Sequence, residues 1–168
     1  MNFDTALKHV LQIEGDYSDH PDDPGGMTNM GVTQNAWSEW VGHPASEKEM
    51  RSLTVEKVAP FYKRKYWDKV AGDELPKGLD HAVFDFAVNS GPGRAAKLLQ
   101  AIANVTVDGA IGPKTLAAVQ KMHLEKLVAE YNDMRQEYLE ALPHYRTFGN
   151  GWKRRVAEVK TEALAMLG

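Results

Sequence analysis

The chain has no cysteine in its 168 residues, which excludes a disulfide frame and a thiolate metal site and leaves thiols silent about redox compartment. Positive charge is not in excess either. Twenty Lys and Arg stand against 23 Asp and Glu, a formal net charge of −3 with a pI near 6.1, so the bulk attraction that nucleic-acid binders draw from clustered cations is missing. The six histidines form no HExxH-like pair, and neither a metal nor a cofactor is expected. No stretch approaches the length of a transmembrane helix. The first residues carry Asp4 and amphipathic spacing where a secretory signal would carry a basic region and a continuous apolar run. Strand-like alternation of β-branched residues is absent, as is any fixed-period repeat.

What remains is an ordinary globular composition, 43% hydrophobic and 26% charged with only eight prolines, which argues against disorder. The length suits one well-buried core with a small appended region at most. The expectation is an all-α fold with at most a small hairpin. Thr33 reads as the N-cap of a short helix carrying Trp37 and Trp40 and ended by Gly42 and Pro44. Ser46 with Glu49 makes a capping box, and Thr54 caps a helix through Val55, Val58, Tyr62, Tyr66 and Lys69, with Pro60 as its kink or a fresh start. Tyr62, Tyr66 and Trp67 read mainly as core. Leu79 to Ser90 repeats at helical spacing and stops at Gly91-Pro92-Gly93, and the next helix buries Ala95, Leu98, Leu99 and Ile102. Pro113 starts a short helix after the Asp108-Gly109 turn, a long one runs from Leu124 to Leu142, and the last is read as following Gly149-Asn150-Gly151.

The chemistry concentrates between Val10 and Gln34. Phe3, Leu7, Val10 and Glu14 recur at four-, three- and four-residue steps, so all four project within roughly 60° of one another on a helix. Glu14 therefore ends an apolar stripe. Gly15 follows where helices commonly finish in a left-handed residue, which faces the carboxylate toward the negative end of the helix dipole. Burial and dipole both disfavour the ionised form, and a carboxylic acid with a raised pKa suits proton donation to a glycosidic oxygen near neutral pH. The loop that follows holds Asp16, Asp19, Asp22, Asp23, two prolines, Gly25, Gly26 and Thr28. Its prolines at 21 and 24 do not fit a calcium loop.

The run EGDYSDHPDDPGGMTNMGVTQ resembles the signature of glycoside hydrolase family 108, the N-acetylmuramidases of phage endolysins and related exported bacterial lysozymes. FDFAVNSGPGRAAKLLQ agrees with that resemblance, and VDGAIGPKTL with FGNGWKRRV is similar to the family's peptidoglycan-binding half. Asp16 stands where the family usually has a second glycine, and His20 where it usually has Asp or Asn. The resemblance implies a lysozyme-like fold with a catalytic region over 1–104 and a wall-binding region over 105–168, packed as one compact unit. It also implies hydrolysis of the β-1,4 bond between N-acetylmuramic acid and N-acetylglucosamine. Glu14 is then the general acid, while Asp23 and Thr28 hold the attacking water, an arrangement similar to that of phage-type lysozymes and favouring inversion. Tyr17, Gln34, Trp67 and Asn89 are the expected substrate contacts, although an asparagine at the end of a helix can equally serve as a cap. The expected partner is the glycan strand, with no nucleic acid and no membrane segment, and the chain is expected to be monomeric. It would be made in the cytoplasm and act on the wall after release or export. The basic clusters Lys63-Arg64-Lys65 and Lys153-Arg154-Arg155 read as solvated helix faces or as contacts to an anionic wall polymer. The rival classes are a module that binds murein without cutting it, which would give no clearing band in zymography, and a helical scaffold with no affinity for murein.

Overall fold

The first helix, α1, spans Phe3–Glu14. Phe3, Leu7 and Val10 are buried along it, so the apolar stripe read from the spacing forms as expected. In this computed structural model the described residues are 2–14, 17, 26–143 and 145–167, without the side chains of residues 14 and 146–148. Gly15 and the acidic run up to Gly25 lie outside them. Two compact units result, Leu7–Arg64 in one and Met1–Ala6 with Lys65–Gly168 in the other.

In the Leu7–Arg64 unit a small antiparallel hairpin pairs β1 (Thr28–Asn29) with β2 (Val32–Thr33), in the register Thr28 to Thr33 and Asn29 to Val32. Its turn residues Met30 and Gly31 both take positive φ, 51° and 73°, the sign pattern of the tight turn whose twist matches flanking strands. Three helices follow: α2 (Gln34–Val41), α3 (Glu47–Arg51) and α4 (Val55–Tyr62). Each carries its expected cap. The hydroxyls of Thr33, Ser46 and Thr54 accept from the backbone N–H of Ala36, Glu49 and Lys57, satisfying donors that a helix start otherwise leaves open. Trp37 is buried and Trp40 partly so, both against Phe61 at ring separations of 6.2 and 5.7 Å.

The sequence reading carried the fourth helix through to Lys69, but its α-helical form ends at Tyr62. A widened turn over Lys63–Trp67 and tight turns over Asp68–Val70 and Gly72–Glu74 follow.

In the larger unit, α5 (Leu79–Ser90) is buried over every residue from Leu79 to Ala87, the mark of a central helix. It packs against α6 (Pro92–Ile102), α8 (Leu124–Glu140) and α9 (Tyr145–Ala165), with α7 (Pro113–Gln120) between α6 and α8 in the chain. Phe3, Trp67 and Phe84 stack edge to face at 5.3 to 5.8 Å, the geometry favoured by ring quadrupoles. The last helix starts earlier than the sequence reading had it, running through Gly149 and Gly151. Gly149 gives up its side chain to the Tyr145 ring, which a Cβ there would meet at 2.8 Å. Among the described residues the fold is therefore all-α with one small hairpin.

Candidate active site

The hairpin is held by side chains that reach backbone carbonyls. The Tyr62 hydroxyl donates to Met30 O at 2.6 Å and the Asn29 amide to Met50 O at 2.8 Å. The Gln34 amide donates to Ala45 O at 2.7 Å, while the Gln34 N–H donates to Met27 O at 2.7 Å. Ser38 completes the frame, donating to Gln34 O and accepting from the Ala45 N–H. These clamps fix a short strand pair that is too small to be stable by itself. They also hold Met30, a residue with a side chain, in a left-handed conformation that costs on the order of 1 kcal/mol. Gly26, at φ 79°, lies so close to Gln34 that a Cβ would come within 2.7 Å of its Oε1.

Thr28 sits half-buried at the base of this hairpin, opposite Thr33 and two residues along the chain from Gly26. Gln34, the first residue of α2, directly follows Thr33, and its amide nitrogen is tied to Ala45. Tyr17 belongs to the same unit, with the Arg51 guanidinium 4.1 Å from its ring centre. Arg51 in turn pairs with Glu47 at 2.9 Å. Glu14 is the last residue of α1. Its side chain, and all of Asp23, lie outside the described residues.

Trp67 does not fit the substrate-contact role. It is fully buried, its indole N–H donates to Asp73 Oδ1 at 2.8 Å, and Gly72 packs so tightly on it that a Cβ would meet the ring at 2.3 Å. A ring enclosed on both faces has none to offer a sugar, so Trp67 is a core residue. Asn89 lies half-buried in the last turn of α5, and the Gly91 N–H closes that turn by donating to the carbonyl of Ala87. The Asn89 Oδ1 accepts from Arg135 Nη2 at 3.4 Å and from the Ser90 hydroxyl at 3.2 Å. Its amide is therefore oriented by the larger unit, to which Trp67 also belongs.

That contact leads to residues the sequence reading missed. Asp85, fully buried, lies 2.7 Å from Arg135 Nη1 and takes a two-pronged pair from Arg155, whose Nε and Nη2 are each 3.1 Å from its oxygens. Arg135 is also fully buried, with its guanidinium 5.0 Å from the centre of the Phe86 ring. Burial alone would push the Asp85 carboxyl up, but Arg135 and Arg155 together hold it below the ordinary carboxylate range. Asp80, five residues earlier, goes the other way. Burial raises it, although Asn2 and the N–H groups of Gly78 and His81 donate to it. The signal was in the sequence: Asp85 stands among Ala82, Val83, Phe84, Phe86 and Ala87, and an aspartate buried in such a run needs a partner.

No group of three metal-ligating side chains occurs among the described residues. No helix of the described chain is long and apolar enough to cross a membrane.

Comparison with known families gives the class of the chain. Residues 7–91 match the family model Glycosyl hydrolase 108, and residues 94–157 match a Predicted Peptidoglycan domain. The chain belongs to the glycosyl hydrolase 108 family and is a glycoside hydrolase directed at peptidoglycan. Among solved structures it is similar to that titled "Structure of Brucella abortus SagA", at 49% identity and a TM-score of 0.88 over 99% of this chain and 95% of that one. A comparison with curated protein sequences returns no match.

Proposed function

We propose that the protein is an N-acetylmuramidase, cutting the β-1,4 bond between N-acetylmuramic acid and N-acetylglucosamine, with catalysis in residues 1–104 and retention on the wall in residues 105–168. The observation that carries this reading is the family match over 7–91, inside which Glu14 closes a helix whose preceding stripe residues are buried. Glu14 protonates the leaving oxygen. Asp23 takes a proton from the attacking water, and the Thr28 hydroxyl at the base of the hairpin helps to hold that water. Tyr17, Gln34 and Asn89 contact the sugars. The scheme is inverting, which calls for carboxyl groups about 6.5–9.5 Å apart, against about 5–5.5 Å for retention.

Purified sacculi digested to completion should yield reducing muramic acid ends; reducing glucosamine ends would overturn the bond assignment. Glu14→Gln should reduce lysis by about 10²- to 10⁴-fold with an unchanged helical circular dichroism spectrum. Lysis within about tenfold of the parent would remove Glu14 from the acid role. Proton NMR of a freshly cut oligosaccharide should show the α anomer first, and an initial β anomer would make Asp23 a nucleophile.

A further inference from the structure

A cavity of about 340 Å³ lies within the stretch that matches the peptidoglycan domain. Its size falls in the range of small-ligand sites. Val105, Ala110 and Pro113 contribute to a largely apolar lining, with Lys114 and Asp108 as its charged members. Its shape is set by one glutamine. Gln100, only 1% exposed, donates from its amide to Asp108 Oδ1 at 2.9 Å, Ala110 O at 3.0 Å and Thr115 Oγ1 at 3.3 Å. Its oxygen accepts from the N–H groups of Asp108 and Gly109 at 3.1 and 2.9 Å. The segment between α6 and α7 has no regular structure of its own, and a buried side chain bonded at both ends fixes it in advance of any ligand, which lowers the ordering cost of binding.

The occupant follows from what the lining offers. Sugar rings require a dense set of donors and acceptors, and here the Gln100 amide and one Asp108 oxygen are already engaged. What is left is a mainly apolar wall with the Thr106 and Thr115 side chains, one ammonium and one carboxylate. The Asp108 carboxyl is held below its ordinary range by the Ala110 N–H and the Gln100 amide. Small alkyl side chains and a free carboxylate facing Lys114 complement that surface, and the carboxylate oxygen of Asp108 can take a peptide N–H.

We infer that this cavity binds the peptide stem of peptidoglycan, seating its small apolar residues against Val105, Ala110 and Pro113 and its terminal carboxylate near Lys114. The inference rests on the reading of the chain as an enzyme of peptidoglycan. The test is titration of the full-length, isotope-labelled chain with a synthetic stem pentapeptide ending in D-alanyl-D-alanine, followed by amide NMR. Shifts should centre on residues 105–115, and Lys114→Glu and Ala110→Phe should each weaken binding by about tenfold or more. No shift at roughly 10 mM peptide, or equal affinity in both variants, would overturn the inference. So would peptide-free glycan moving the same amides as strongly. If either variant does not fold, the parent titration decides alone. Hydrolysis of sacculi is measured separately, so peptide binding without muramic acid ends would sink the muramidase reading and leave this one standing, and the reverse result would do the opposite.

Discussion

The two units solve the problem of holding polar groups in place by opposite means. In Leu7–Arg64 neutral side chains reach carbonyls, with Tyr62, Asn29 and Gln34 each tied to a backbone oxygen around the hairpin that carries Thr28. In the larger unit a buried carboxylate is held between two guanidiniums, Asp85 with Arg135 and Arg155. Neutral bonds of the first kind are worth about 1 kcal/mol each. They shape a short hairpin without burying a charge. A buried charge triad contributes little net stability when intact, because desolvation offsets attraction, yet it is costly to break. It therefore selects one arrangement of α5, α8 and α9 over others.

The difference is sharpest in what removal does. Asp85→Ala leaves two cations facing a dry site and should cost about 3–5 kcal/mol in denaturant unfolding; a loss below about 1 kcal/mol would mean that the charges are not coupled as described. The pH dependence has a definite sign. With its folded pKa depressed, the Asp85 carboxylate contributes stability that is fully present above the unfolded value of about 3.9 and is lost as pH falls through the folded value. Acidification should therefore destabilise the parent more than Asp85→Ala, read as melting temperature against pH.

A smaller effect is expected at Gly26→Ala, where positive φ and the close approach of Gln34 cost about 1–2 kcal/mol together. Displacing Gln34 loosens its bond to Ala45, so murein clearing should fall as well. Unchanged clearing would detach Gln34 from function. The smallest is Tyr62→Phe, about 1 kcal/mol, because Met30 loses the hydroxyl that holds its carbonyl. In a Met30→Gly background the same change should cost less, since glycine adopts the turn without help.

Much of this was legible in advance. The caps at Thr33, Ser46 and Thr54 and the stripe of α1 were readable because they depend on neighbours within one turn. The early end of α4 and the early start of α9 were not: the first is a change of helical pitch, and the second depends on the Tyr145 ring filling the space above Gly149. Trp67 misled for a related reason, since an indole has the same sequence signature whether it faces a sugar or, as here, is closed in by Phe3, Phe84 and Gly72.

By itself the sequence determined the helical class and the helix caps, since both are properties of local spacing and residue type. Only the tertiary structure decided that Asp85 would meet Arg135 and Arg155, from positions 50 and 70 residues further along the chain, and that Gln100 would build a cavity from a loop. Such partners are chosen by burial, which leaves a charge or an amide no water to turn to, and burial is set by the packing of whole helices.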